Sequence, residues 1–357
     1  MTNKKRAAIL GATGVAGQQF IEALIDHPWF EISRLYASER SAGKTYGEAA
    51  VWHSPTQLPD AIAAMPVEKI HDGLNEQDQF DVVFSALPSD IAEEIEGKYA
   101  QEKPVISTAS AYRTHDDVPI LVPEVNADHA PLIDRQRKHR GWKGFVVPGP
   151  NCTAMGLIIA LKPLHERFGL KSVFMTSMQA LSGAGYPGHS AMDMVDNVYP
   201  YIAKEEGKVV VETMKALGTV KGETIQPVEL PISCTCTRVP TLDGHFLSVM
   251  VQTQSACKPE DYIQEIAAYN QQCRERFGQL PSAPEETIVY KQENNRPQPR
   301  LDRELGDGMS TAVGRIRPDE VFGEHGLKFC ILSHNTKRGA AKGELLAAEY
   351  LMQEGYY

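Results

Sequence analysis

From Arg6 to Pro150, short apolar runs alternate with segments of helical spacing. AAIL is followed by a glycine turn and QQFIEALIDH, then by EISRLYAS; further on come DVVFSAL, AEEIEGKYAQE, PVISTAS and GFVVPG. Strands separated by crossover helices predict a doubly wound parallel sheet. From about Val173 the period changes. SVFMTSMQAL, PVELPISCTCTRVP, HFLSVMVQTQ and MSTAVGRIR read as longer strands of a largely antiparallel sheet. Two helices interrupt them, DYIQEIAAYNQQCRERF and the segment around KVVVETMKALG. An alanine-rich amphipathic helix, KRGAAKGELLAAEYLMQEG, comes last and is expected to return onto the first sheet. The predicted organisation is an α/β domain over 1–151 rejoined by about 335–357, and an α+β domain over 152–334.

Composition narrows the function. The chain has 357 residues, enough for two cores. A net charge of −10 argues against a nucleic-acid surface, which needs a basic field. The basic start MTNKKRAAILGATG has no apolar stretch of secretory length, and no run is long enough to span a membrane. Six cysteines without small-domain spacing read as free thiols in a reducing cytoplasm. Cys234 and Cys236 form a C-x-C pair with no second pair at zinc spacing, so they read as residues on one face of a strand, not metal ligands.

AAILGATGVAGQQF places Gly11, Gly14 and Gly17 between a strand and a helix. Glycines there let the backbone approach a pyrophosphate, whose charge then meets the helix start. The spacing is G-x-x-G-x-x-G, not the commoner G-x-G-x-x-G. At the end of the second predicted strand, YASERSAGK surrounds Glu39 with Ser38, Arg40 and Ser41, donors that suit a 2′-phosphate. The expected cofactor is NADP, and the expected contacts are Gly11, Thr13, Gly14, Val15, Ala16, Gly17, Ser38, Arg40, Ser41 and Ser85.

VPGPNCTAMGLIIAL puts Cys152 at the mouth of a helix, where unpaired N–H groups and the helix dipole favour a thiolate. CTRVPTLDGHFLSV supplies Arg238 and His245 on either side of an Asp-Gly turn, where folding would bring both to one site. The thiol and imidazole together suit nucleophilic catalysis.

LGATGVAG, ASERSAGK, GPNCTAMGLIIALKPL, QALSGAGYPG, RVPTLDGH, RPQPRLDR and HNTKRGAAKGELLAAEYL stand in the order and approximate spacing of one family. Over nearly its full length the chain resembles aspartate-semialdehyde dehydrogenase, in the archaeal and fungal branch. The resemblance implies an NADP-binding domain and a catalytic, dimerising domain. It implies reduction of aspartyl-4-phosphate to the semialdehyde, with phosphate released, in lysine, threonine and methionine biosynthesis, by a homodimer or a tetramer of dimers. Cys152 would form the acyl-thioester, His245 would be the acid/base and Gln179 would support the thiol site. Arg238 would bind the substrate carboxylate, Arg113 and Lys208 the phosphate, and Glu205 the ammonium. Asn151 would join the substrate site; Ser182, Gly183 and Asn335 would meet the nicotinamide half of the cofactor.

Without the resemblance, Arg113 also fits a surface ion pair, Glu205 and Lys208 an i,i+3 helix pair, and Gln179 a backbone cap. Three positions depart from the family pattern: Gly149 replaces an asparagine, Ala154 follows Thr153, and Gly207 replaces an acid. Two alternatives follow. A malonyl-CoA reductase on the same fold would lose Asn151, Glu205 and Lys208, which are present here. A silent NADP sensor would lose Cys152 or His245.

Overall fold

The computed structural model describes residues 4–357. Six strands form the first sheet: β1 (Lys5–Leu10), β2 (Phe30–Ala37), β3 (Val67–Lys69), β4 (Val82–Ser85), β5 (Pro104–Ser107) and β6 (Phe145–Pro148). Their order is β3-β2-β1-β4-β5-β6 and every pairing is parallel. This is the doubly wound order whose connections diverge between β1 and β4, leaving a crevice at the strands' carboxyl ends. Burial on both faces explains the uninterrupted apolar runs: Ala7 to Leu10 and Val82 to Phe84 are fully buried. The Val15–Leu24 and Ser89–Ala100 helices follow β1 and β4.

The second sheet contains β7 (Leu170–Gln179), β10 (Ile232–Arg238), β11 (His245–Thr253), β12 (Ile288–Lys291), β13 (Thr311–Pro318) and β14 (Gly326–Ser333). A small hairpin, β8 (Thr219–Lys221) with β9 (Thr224–Gln226), lies apart. The order is β10-β7-β11-β14-β13-β12; the central pairings are antiparallel and the two outer ones parallel. The sheet is therefore mixed at its edges, where connecting helices allow strands to re-enter in the same direction. In β11, Leu247, Val249 and Val251 are buried while Ser248 faces solvent, the alternation of a sheet covered on one face.

The covering helix is Cys152–Phe168. Leu157 to Leu161 are fully buried against β7, β11 and β14, with the Glu205–Ala216 and Pro259–Phe277 helices beside them. Its first residue emerges just after β6, so the amino end of this helix opens at the carboxyl edge of the first sheet. The last helix is Lys342–Gln353, packed on the Val15–Leu24 helix and β5. It does not begin at Lys337, as the helical spacing predicts. Lys337–Ala341 is a π turn with Ala340 at φ −153°, ψ −126°, packed against the starts of both the Val15 and Cys152 helices.

Candidate active site

Asn151 caps the Cys152 helix. Its Oδ1 accepts from the backbone N–H of Thr153 (2.9 Å) and Ala154 (3.1 Å), which makes Cys152 the first helical residue. The cap is itself anchored: Asn151 Nδ2 donates to Glu205 Oε1 at 3.0 Å, and Thr153 Oγ1 donates to the same oxygen at 3.1 Å.

Strand register assembles the opposite wall. β10 runs parallel to β7 with Arg238 beside Gln179, and His245 begins β11 one step beyond the Phe246–Met178 pair. All three side chains stand at one end of the sheet. Arg238 and His245 are not joined by a hairpin, however. Their strands flank β7, so the Asp-Gly turn is a crossover and β7 supplies Gln179 between them.

Cys152 Sγ lies 3.3 Å from His245 Nε2. His245 Nδ1 accepts from the Ala180 backbone N–H at 3.1 Å. A backbone N–H can only donate, so the neutral ring carries its proton on Nε2, aimed at the sulfur. Burial, with help from Arg238 and His334, holds the imidazole well below its usual range, so it is neutral. The helix start alone predicts a thiolate, and the free protein departs from that. Burial and the Glu205 charge push the Cys152 thiol up to about 12, outweighing the lowering pull of Arg113, Arg238 and the Thr153 N–H. A resting thiol beside a neutral imidazole results.

In front of the sulfur is a cavity of about 340 Å³. Asn151, Cys152, Gln179, Arg113, Glu205, Lys208 and Arg238 line it. Arg113 is buried, with Nη2 on the Thr108 carbonyl (2.8 Å) and Nε without a partner. Arg238 gives Nη1 to the Ala180 carbonyl (2.7 Å) and likewise leaves Nε unpaired. Lys208 has no ion-pair partner among the described residues. Gln179 donates to Ser177 Oγ at 3.2 Å. The walls thus present three cations and one acid around the thiol, a charge pattern suited to a small zwitterion carrying an extra anion.

Val15, Ala16, Ser182, Gly183 and Asn335 also line the cavity. Asn335 accepts from Gly244 N–H (2.8 Å) and donates to Ser182 Oγ (2.8 Å), tying the 181–184 turn to the end of β14. Gly11, Thr13, Gly14 and Gly17 build the turn into the Val15 helix. Gly11 sits at φ +74°, and a Cβ there would meet the Ala86 carbonyl oxygen at 2.7 Å. No side chain caps this helix and its first turn has no acid, so its N–H groups fit a pyrophosphate. Ser38 and Arg40 are exposed and Ser41 half-buried in the loop after β2, where the one acid, Glu39, pairs with Lys69 at 3.5 Å. That pairing leaves the loop basic.

Ser85 does not reach the cofactor crevice. It is fully buried, its hydroxyl donates to Glu96 Oε1 (2.6 Å), and its carbonyl accepts from Thr108 N–H (3.0 Å). A hydroxyl at a strand end is an expected ligand contact, but burial beside an acid takes it inward.

Sequence reasoning also missed Glu212 and Lys215. Glu212 carboxylate oxygens accept from Arg113 Nη1 (3.2 and 3.4 Å) and from Asn151 N–H (2.5 Å). Lys215 Nζ donates to the carbonyls of Arg113 (2.8 Å) and His115 (2.6 Å). The available signal was periodicity, since 205, 208, 212 and 215 share one helix face.

Comparison with known proteins places this geometry. Residues 6–132 match the family described as semialdehyde dehydrogenase, NAD binding domain, and residues 161–338 match semialdehyde dehydrogenase, dimerisation domain. An aspartate-semialdehyde dehydrogenase of Archaeoglobus fulgidus is 47% identical over 97% of both chains. A malonyl CoA reductase (NADP) of Metallosphaera sedula is 37% identical over 100% of this chain and 99% of its own. The crystal structure of aspartate semialdehyde dehydrogenase with NADP from Candida albicans superposes with a TM-score of 0.89 at 39% identity, covering 99% of this chain and 100% of that one. A thiol–imidazole pair between these two sheets, in a chain matched from end to end, makes this protein a member of the semialdehyde dehydrogenase family, in the branch of the archaeal and fungal aspartate-semialdehyde dehydrogenases.

Proposed function

We propose that this chain is an NADP-dependent aspartate-semialdehyde dehydrogenase, reducing aspartyl-4-phosphate to aspartate 4-semialdehyde with release of phosphate. The observation that carries the reading is the Cys152–His245 contact of 3.3 Å beside a cavity lined by three cations, Arg113, Lys208 and Arg238, and an acid, Glu205. Arg113 and Lys208 hold the phosphate, Arg238 the α-carboxylate and Glu205 the ammonium. Each substrate charge has a counterpart.

Cys152 Sγ attacks the acyl carbon as its proton passes to the departing phosphate; the bond from that carbon to the phosphate oxygen breaks, and phosphate leaves with that electron pair. A thioester on Cys152 remains, its oxygen near the amino end of the Cys152 helix. NADPH supplies, when bound, the hydride that converts the thioester to a hemithioacetal. His245 Nε2–H donates to the sulfur and protonates it as the hemithioacetal oxyanion collapses to the aldehyde and the C–S bond breaks, and the imidazole regains its proton from solvent. Gln179 supports the thiol site. Val15 and Ala16, with the turn Gly11, Thr13, Gly14 and Gly17, take the pyrophosphate; Ser38, Arg40 and Ser41 take the 2′-phosphate; Ser182, Gly183 and Asn335 face the nicotinamide half.

Residues 1–151 and 335–357 act as the cofactor domain and 152–334 as the catalytic and dimerising domain. The match to a dimerisation domain supports a homo-oligomer, as do the exposed Met192, Val195, Val198 and Tyr201. No described helix is long and apolar enough to cross a membrane. Six free thiols suit a reducing cytoplasm.

Aspartate semialdehyde should be oxidised only when both NADP and phosphate are supplied, and Cys152→Ala should lose turnover while NADPH titration stays nearly unchanged. Consumption of NADPH with malonyl-CoA at a comparable rate would assign the chain to the thioester reductases instead.

A further inference from the structure

One carboxylate joins two parts of the site that the chain brings from different elements. Glu212 lies two helical turns beyond Glu205 on the face that carries Glu205, Lys208 and Lys215, and it is buried. Its two oxygens reach the Arg113 guanidinium, which comes from the loop after β5. One of them also accepts from the N–H of Asn151, the residue that caps the Cys152 helix. On the far side, Lys215 fixes the main chain around Arg113 through two carbonyls, and the Thr108 carbonyl takes Nη2. Arg113 is therefore held on three sides, and its unpaired Nε belongs to a side chain that lines the cavity.

From this arrangement we infer that Glu212 is a positioning residue, which sets the anion-binding guanidinium and the nucleophile turn in one fixed relation. The inference rests on the reading of Arg113 as a phosphate ligand. Its chemistry is geometric. A carboxylate offers acceptors to both donors at once, whereas a carboxamide has a single acceptor oxygen and turns an N–H toward one of them. Simple charge neutralisation makes the opposite forecast. If Glu212 only cancelled the charge of Arg113, removing its charge would leave a stronger cation and tighten phosphate binding.

Glu212→Gln separates these two roles. KM for phosphate, aspartate semialdehyde and NADP is measured in the oxidative direction, and alkylation of the Cys152 peptide by iodoacetamide is followed by mass spectrometry. Positioning predicts a phosphate KM raised roughly tenfold and Cys152 alkylation slowed several-fold, with the KM values for aldehyde and NADP within about twofold of wild type. Glu212→Asp, which keeps the charge but withdraws it, should move the same two readouts in the same direction and covers the case of a glutamine variant that does not fold. A phosphate KM that is unchanged or lowered, or an unchanged alkylation rate, overturns the inference. Arg113→Ala is the control: if it leaves the phosphate KM untouched, the phosphate assignment itself fails, independently of Glu212.

Discussion

At Gly149 the chain departs from the family's usual asparagine, and the structure supplies a reason. A Cβ at 149 would lie 2.2 Å from Glu344 Oε1, a carboxyl from the first turn of the last helix. The acid occupies the space a side chain would need. Gly149→Asn should therefore impair folding or turnover by itself, and pairing it with Glu344→Ser should recover much of the loss, as read by kcat and Tm of the single and double variants. If the double variant is no better than the single, the two positions do not share that space. The other departures are milder. Gly207 faces open solvent, and Ala154 is fully buried among apolar neighbours of its helix.

Among the elements, the Glu205–Ala216 helix does most to organise the site. A 3.6-residue period places Glu205, Lys208, Glu212 and Lys215 on one face, where they serve the cap, the proposed anion clamp and the loop after β5. Glu205 has two opposed effects on the thiol: it anchors the Asn151 cap, and its charge raises the Cys152 pKa. Glu205→Gln keeps an acceptor for Asn151 but removes the charge, so the folded-state thiol pKa falls. Alkylation of Cys152 in the free protein at pH 7 should then speed up, while turnover should drop with the loss of the proposed ammonium partner. A slower alkylation in this variant would show that anchoring dominates. The helix itself was legible from periodicity. Its role was only half legible, because Glu212 and Lys215 bond to a turn more than sixty residues away in sequence.

For the whole molecule, two buried acids set a pH dependence. Burial pushes Glu344 up to about 8 and Glu96 up to about 7, from an ordinary 4.5. Arg113 and Arg338 partly offset the shift at Glu344; the hydroxyls of Ser85 and Ser107 do so at Glu96. With a raised folded pKa, the native state binds more protons than the unfolded chain between pH 4.5 and 8. Stability therefore falls as pH rises through that window. Tm should be lower at pH 8.5 than at pH 6, by several degrees as an order of magnitude, and Glu344→Gln should flatten the slope. An equal slope in the variant would remove Glu344 as its source.

The two-sheet plan, the glycine turn and the helix beginning at Cys152 were determined by the sequence alone, because period, turn chemistry and capping are local properties of the chain. Order of strands, and with it the Gln179–Arg238 neighbourhood, was decided only in the folded state, since β7 enters between β10 and β11 from far away in sequence. Protonation belongs to the same category. The local helix start favours a thiolate at Cys152, yet the thiol is kept protonated by burial and by Glu205, and both arise only when the two sheets close around the site.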